Sequence, residues 1–323
     1  MIFINIAIIG CGNIGSKRAM ALTKDSTVKI KYIVGQKNLK KNRKAILLAK
    51  KFNAIFLTDW KEIVKKNDID AVILSTQPNL FLKIGSAILN SKKHLLIEKP
   101  LGLNIVQSKA LYFLAKKNRL VLKTGFNLRF DKGIQFAKKI IQDGQLGEIY
   151  YIKIDYVNGA VKTNKNNVGS LLDIGSHSID LASYFINDKT IIPINSVSQA
   201  NEKYHSNDNG VVVLKCKKIL IFIHHSFVHW ENKFFLNIMC AKGSISIKSL
   251  PKWGKQEVVL SKRKFPSGLP KKKIIYFYKD YSWLSEWLHF KSSILNNNFK
   301  SNIQGFNNMK LINNLNKINK NIV

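Results

Sequence analysis

Residues 4–15 read INIAIIGCGNIG, an apolar run broken only by Asn5 that passes directly into Gly10-Cys11-Gly12-Asn13-Ile14-Gly15. The spacing G-x-G-x-x-G carries little information by itself. Here it closes a strand pattern (Phe3–Ile9) and opens a helix pattern, which is the context that gives it meaning. Gly10 permits the tight turn, Gly12 lets the backbone approach a pyrophosphate, and Gly15 lets strand and helix pack closely. The helix start offers unpaired N–H groups and the positive end of its dipole. Gly10, Gly12, Asn13, Ile14 and Gly15 are therefore expected to hold a dinucleotide.

Outward from this stretch, short apolar runs alternate with helical patterns. Strands are expected at Phe3–Ile9, Lys29–Val34, Ala54–Leu57, Ala71–Leu74, His94–Ile97 and Leu120–Lys123. Helices are expected over Lys40–Lys51, Trp60–Lys66, Leu80–Asn90 and Ile105–Lys117. Strands separated by helices indicate a parallel, doubly wound α/β sheet. Beyond about residue 125 the rhythm changes. Helices over Asp131–Asp143 and Leu171–Phe185 flank a strand at Tyr150–Tyr156. A run of strands follows (211–215, 220–225, 234–240, 244–248, 257–260, 273–278), and then a helix over Ser282–Leu295. Consecutive strands without helices indicate an α+β region with an open, mainly antiparallel sheet. The expected division is 1–124 for the nucleotide-binding domain and 125–323 for a substrate-binding and oligomerisation domain. The Asn/Lys-rich end, 307–322, reads as a solvated tail that permits a short helix.

The acidic residue that binds an adenosine ribose in NAD sites is expected about 20 residues past the fingerprint. The sequence there is Val34-Gly35-Gln36-Lys37, without a carboxylate, and Lys40, Lys41 and Arg43 follow. Gln36 and Lys37 are read as cofactor contacts, and the missing acid favours NADP over NAD. Thr76-Gln77-Pro78 and Glu98-Lys99-Pro100 close the fourth and fifth strands at the carboxyl edge, where ligands bind such sheets. Pro100 biases Lys99 to an extended backbone and stops the ladder, which puts the lysine at the rim. In Leu172-Asp173-Ile174-Gly175-Ser176-His177-Ser178-Ile179-Asp180, an α-helix would place Asp173, His177 and Asp180 on one face by i, i+4 and i, i+3 spacing. A base flanked by carboxylates suits proton transfer at a hydroxyl; the same spacing also fits a capped helix start with an exposed histidine.

Net charge is +34, yet only Arg18, Arg43, Arg119, Arg129 and Arg263 among the 53 basic residues are arginine. Phosphate recognition favours arginine forks, and the lysines are scattered, so specific nucleic-acid binding is not expected. Cys11, Cys216 and Cys240 are too few and too distant for a disulfide frame or a CxxC metal site. His224 and His225 are adjacent on a strand and point to opposite faces, so with His229 they make no metal site. Trp283 and Trp287 read as core. No apolar run reaches the roughly 18 residues of a membrane helix, and a cytoplasmic location is expected.

These segments together resemble the glucose–fructose oxidoreductase / inositol dehydrogenase / rhizopine-catabolism (Gfo/Idh/MocA) family. The resemblance runs in order through the fingerprint, TQP (76–78), EKPLG (98–102), GFNLRF (125–130), QLGEI (145–149) and D-I-G-S-H-S-I-D (173–180). It implies a Rossmann domain followed by an open-faced sheet, dimers or tetramers formed through that sheet, and NAD(P)-dependent hydride transfer at a carbinol carbon of an inositol, aldose or nucleotide-linked sugar. By the same resemblance Lys99, Asp173 and His177 are catalytic, Asp180, Asn127 and Arg129 bind substrate, and Glu98 and Lys99 line the cofactor. Either Lys99 or His177 is then the final proton donor. The chain departs from the family pattern in its thinned glycine run, Val168-Gly169-Ser170, and in Phe81 where a histidine is frequent. A catalytically silent nucleotide-binding regulator is the rival reading, and the high charge mildly favours an anionic substrate.

Overall fold

The computed structural model describes residues 3–36, 38, 42–159, 168–186, 190–201 and 207–319, so Lys37, Lys40 and Lys41 lie outside it. Contacts divide the chain into two units, Met1–Phe126 with Trp283–Met309, and Asn127–Ser282 with Lys310–Val323.

In the first unit β1 (Ile4–Ile9), β2 (Val28–Val34), β3 (Ile55–Leu57), β4 (Ala71–Leu74), β5 (His94–Ile97) and β6 (Leu122–Thr124) form one sheet in the order β3-β2-β1-β4-β5-β6. Every pairing is parallel. Helices α1 (Asn13–Ala21), α2 (Arg43–Phe52), α3 (Lys61–Val64), α4 (Phe81–Asn90) and α5 (Ile105–Lys117) make the crossovers. Because helices cover the sheet, its strands are mainly apolar; Ile6, Ile8 and Ile33 are fully buried, each contributing about 1.5–3 kcal/mol. The strand order reverses between β1 and β4, the place where such sheets open a ligand crevice.

The first unit runs to Phe126 and takes in a second stretch of chain, Trp283–Met309. Helix α8 (Ser282–Leu295) carries Trp287 and Phe290, which are buried in the first core beside Ile4, Ile6 and Ile30. Asn302 then closes the edge of β6, its Oδ1 accepting from Leu122 N (2.9 Å) and its Nδ2 donating to the Leu120 carbonyl (2.7 Å). The expected solvated tail is instead helix α9 (Ile303–Asn319), with Met309, Ile312 and Leu315 buried.

Asp25 anchors α8. Its carboxylate accepts from Trp287 Nε1 (2.7 Å), Lys291 Nζ (2.6 Å) and Thr27 Oγ1 (2.7 Å). Burial pushes the carboxyl upward, but these donors outweigh it and hold it down at about 2. An unfolded aspartate titrates near 3.9, so this stabilisation is complete above about pH 4 and disappears as pH falls through about 2; its size is on the order of 2 kcal/mol. Urea midpoints measured from pH 6 to pH 2 should fall for the wild type, and Asp25→Asn should start lower and lose the part of that fall due to this group.

The second unit is built on β7 (Ile149–Val157), β8 (Ile192–Gln199), β9 (Asn209–Cys216), β10 (Ile219–Ser226), β11 (Lys233–Cys240), β12 (Gly243–Lys248), β13 (Gln256–Lys262) and β14 (Lys271–Phe277). Their order is β14-β13-β12-β11-β7-β10-β9-β8. Neighbours are antiparallel except β7 and β10, whose long connection allows a parallel pairing. Strand β8 escapes a reading by pattern because Pro193 and its polar residues suit only a sheet edge, where it lies. Helix α6 (Lys132–Gln142) packs on β12 and β13, and α7 (Ser176–Ile186) on β7 and β10. Asp131 caps α6, accepting from Ile134 N at 3.1 Å, and Gly144 (φ +67°) turns the chain away after it.

Candidate active site

The fingerprint forms the expected strand–turn–helix. Gly10 has φ +90°, and a Cβ there would stand 2.7 Å from the Ser75 carbonyl carbon and 2.8 Å from Thr76 N. The ends of β1 and β4 can meet only because Gly10 has no side chain. A Cβ on Gly15 would run into the Gly10 carbonyl oxygen, whereas one on Gly12 would meet nothing within 4 Å. Gly12 thus borders open space at the start of α1, which has no side-chain cap. Exposed backbone, uncapped N–H groups and room above Gly12 fit a bound pyrophosphate. Cys11, between the glycines, is buried, and burial pushes its thiol up to about 12, so it is not a nucleophile.

Past β2 the loop is organised by buried Asn42. Its Oδ1 accepts from Gln36 N (2.7 Å) and its Nδ2 donates to the Gln36 carbonyl (2.6 Å). No carboxylate enters this turn among the described residues. Lys44, in the first turn of α2, donates to Asn13 Oδ1 at 2.6 Å and so reaches the fingerprint. Lys17, Lys44 and Lys51 line a concavity of about 410 Å³ with Asn13 and Ser16. The turn after β4 carries half-buried Thr76, exposed Gln77 and Pro78, which opens a short 3-10 turn. Phe81 is fully buried at the start of α4.

Lys99 lies just beyond β5, half-buried, and the Lys99–Pro100 peptide is cis. Glu98 behaves differently from the expected cofactor contact. It is 8% exposed, and its carboxylate accepts from Arg18 Nε at 2.5 Å.

In the second unit the helical reading of 171–185 needs one correction. Leu171–Gly175 is a π-helical turn, and only Ser176–Ile186 is α-helical. The i, i+4 spacing assumed for Asp173 and His177 therefore spans a π-to-α junction, while His177 and Asp180 keep their i, i+3 relation. Such π turns are frequent at functional sites. This one is held from below: Ser170 Oγ donates to the Asn207 carbonyl (2.9 Å) and lies 2.8 Å from His225 Nδ1. The hydroxyl has one proton, so Nδ1 must be the donor in the second contact. Fully buried His225 is held neutral, burial pushing it down to about 3.

Asp173 is partly exposed, and His177 is 8% exposed with its ring 6.0 Å from that of Tyr156. Tyr156 accepts from Lys252 Nζ at 3.0 Å and packs against Trp253 at 6.0 Å. Spacing rules gave no hint of this group, which joins Tyr156 of β7 to Lys252 and Trp253 of the short turn Pro251–Trp253. Of the residues expected at substrate, Arg129 and Asp180 engage each other in a two-point fork, Nε to Oδ2 at 2.6 Å and Nη2 to Oδ1 at 2.7 Å, with Asp180 2% exposed. Arg129 also lies 5.1 Å over the Tyr184 ring. Asn127 is 4% exposed and donates to Ser282 Oγ at 2.9 Å. The structure thus directs three expected substrate contacts toward protein partners.

Residues 4–126 match the family described as "Oxidoreductase family, NAD-binding Rossmann fold" (GFO_IDH_MocA), and residues 134–246 match the GFO/IDH/MocA C-terminal domain. The chain belongs to the Gfo/Idh/MocA oxidoreductase family. Among its members, myo-inositol 2-dehydrogenase of Thermotoga maritima is 27% identical over 221 residues, covering 66% of this chain and 65% of that protein. The next two curated relatives are spanned over 37% and 36% of their length, so the chain aligns with between about a third and two thirds of the relatives it matches. Solved members share the fold: levoglucosan dehydrogenase in complex with NADH and L-sorbose superimposes with TM-score 0.87 at 19% identity, covering 99% of this chain and 98% of that one. KijD10, a 3-ketoreductase from Actinomadura kijaniata in complex with NADP and TDP-benzene, gives 0.84 at 16% identity, covering 98% of each chain. A family Rossmann domain that binds NAD matches the cradle at Gly10–Gly15. Among the described residues no helix is long and apolar enough to cross a membrane, and no group of three His, Cys, Asp or Glu could hold a metal ion.

Proposed function

We propose that the protein is an NAD(P)-dependent oxidoreductase acting on a CH–OH group of a sugar-like substrate. The observation that carries this reading is a Gly10–Gly15 cradle and a strand-end Lys99 in one chain with a π-turned D-x-G-x-H helix start. Bound nicotinamide would supply the hydride acceptor or donor. Backbone N–H groups at the start of α1 bind the phosphates, and Thr76, Gln77 and Pro78 border the same crevice. Lys99, as an ammonium, donates to the substrate oxygen and stabilises alkoxide charge as it develops. His177 takes the hydroxyl proton on oxidation and returns it on reduction, with Asp173 orienting one of the two. Buried Tyr156 packs beside His177 and carries Trp253 against its own ring, which fixes the setting of the imidazole.

NADP is favoured over NAD. No carboxylate stands after β2 to repel a 2′-phosphate, and Lys44 brings a cation to Asn13. NADPH is expected to bind more tightly than NADH, and Lys44→Ala to weaken NADPH about tenfold, roughly 1.4 kcal/mol, while sparing NADH. Tighter binding of NADH by the wild type in fluorescence titrations would overturn this preference. Net charge of +34 favours an anionic substrate such as a nucleotide-linked sugar. The outward face of the large sheet exposes Val197, Val211, Leu220 and Phe222 at 39–51%, which supports homo-oligomers assembled through that face.

Turnover is tested by offering NAD and NADP with myo-inositol, levoglucosan and a TDP-linked sugar and following formation of the reduced cofactor. Binding of nucleotide without turnover of any sugar would favour the regulator.

A further inference from the structure

Beneath Lys99 the first unit buries four charged side chains for which the proposed chemistry has no use. Arg18, on the fingerprint helix α1, is 3% exposed. Its Nε donates to Glu98 Oε1 at 2.5 Å and its Nη1 to Glu286 Oε2 at 2.9 Å, while Trp283 lies 4.8 Å under its plane. Glu286, on α8, is fully buried, and Lys123, 1% exposed at the end of the sheet, adds a second cation whose field acts on it. Burial works against the Arg18 charge, and Glu98 and Glu286 outweigh it, holding the guanidinium above its usual value. Burial raises the Glu286 carboxyl, and the Arg18 and Lys123 cations pull against that; by formal charge the quartet holds two cations and two carboxylates. Gly125 is part of the arrangement, since a Cβ there would strike Arg18 Nη2 and stand 3.1 Å from Glu98 Oε2.

A buried ion network is a weak argument for stability, because apolar residues fill such space as well. What the charges add is direction. One planar guanidinium joins the helix that starts at the cofactor cradle, the strand end that carries Lys99 and the returning helix α8. Glu98 is the residue immediately before Lys99, and its main chain is tied to β4 through Glu98 N to the Leu74 carbonyl at 3.0 Å. With side chain and backbone both fixed, the Lys99 Cα has little freedom relative to α1.

We infer that Arg18 is a positioning residue, which with Glu286 fixes Glu98 and thereby sets Lys99 against the nucleotide cradle. This rests on the reading of Lys99 as the group that contacts substrate oxygen. Arg18→Met alone would strand two buried carboxylates and is expected to compromise folding, so the informative variants are Arg18→Lys and the charge-balanced pair Arg18→Met/Glu286→Leu. Arg18→Lys keeps the charge but cannot form the two-carboxylate fork.

For the folded double variant, NADPH affinity should stay near wild type and KM should change little, while kcat on the responsive sugar falls by about tenfold to a hundredfold, the cost of misplacing a reacting group by about 1 Å. Arg18→Lys should lie between wild type and the double variant. A second readout needs no substrate: acetic anhydride labelling of Lys99, mapped by mass spectrometry against exposed Lys153, should accelerate by about threefold or more once the strand end loosens. Wild-type kcat together with wild-type Lys99 labelling in a folded double variant would overturn the inference. If Lys99→Ala itself turns over normally, the catalytic reading fails instead, and the labelling rate alone decides whether Arg18 positions Lys99.

Discussion

Lys99→Ala and His177→Ala are each expected to lower turnover by about a hundredfold to ten-thousandfold, the range that a positioned acid–base or electrostatic group contributes. Neither should disturb nucleotide affinity by more than about twofold, since the proposed phosphate site is the backbone at Gly10–Gly15. The two losses should not add: groups acting on one oxygen behave as a unit, so the double variant should be little slower than the worse single one. The effect belongs in kcat more than KM, because stabilisation of developing alkoxide charge appears mainly in the transition state. Steady-state kinetics paired with NADPH fluorescence titration separates these quantities. Near-normal turnover in either single variant would remove that residue from the mechanism.

Gly12→Val and Gly15→Val should fail in opposite ways. At Gly12 an added Cβ meets no protein atom within 4 Å, and the backbone is extended at φ −70°, ψ −161°, so the fold should survive. The new methyl groups would occupy the space through which a pyrophosphate approaches, and NADPH affinity should fall by about a hundredfold, roughly 2.8 kcal/mol. At Gly15 the same change drives a side chain into the Gly10 carbonyl oxygen, and the variant should unfold before binding can be measured. Thermal melts combined with titration distinguish the outcomes. A Gly12→Val protein that is folded and binds NADPH normally would show that the cradle is not where the cofactor sits.

The nucleotide unit was largely readable because its signals are local. Apolar runs at Ala71–Leu74 and His94–Ile97 coincide with β4 and β5, since strands buried on both faces leave no alternation to misread. What escaped was set by distant partners. Helix α8 reads correctly as a helix, but nothing in Trp283–Leu295 says that Trp287 seeks Asp25, 262 positions away. The charge pair at Glu98-Lys99 looks like a single rim feature, yet Glu98 is buried against Arg18 while Lys99 is half-buried. The segment Leu171–Gly175 has an ordinary helical composition, and its π geometry comes with support from Ser170 and His225 beneath it. The same holds for Arg129 and Asp180, whose fork no spacing rule across 51 positions could reveal. Resemblance to the family nominated the site residues; packing decided which of them are buried against protein partners.

The proposed activity is hydride transfer between a nicotinamide and a sugar carbon, with Lys99 and His177 acting on the substrate oxygen. The direct measurement is formation of reduced cofactor by wild-type protein across myo-inositol, levoglucosan and TDP-linked sugars, repeated with Lys99→Ala. Turnover of at least one sugar by the wild type, and its loss in the variant with NADPH binding intact, is the expected result. Tight nucleotide binding without turnover of any sugar, or turnover that survives in Lys99→Ala, would contradict it.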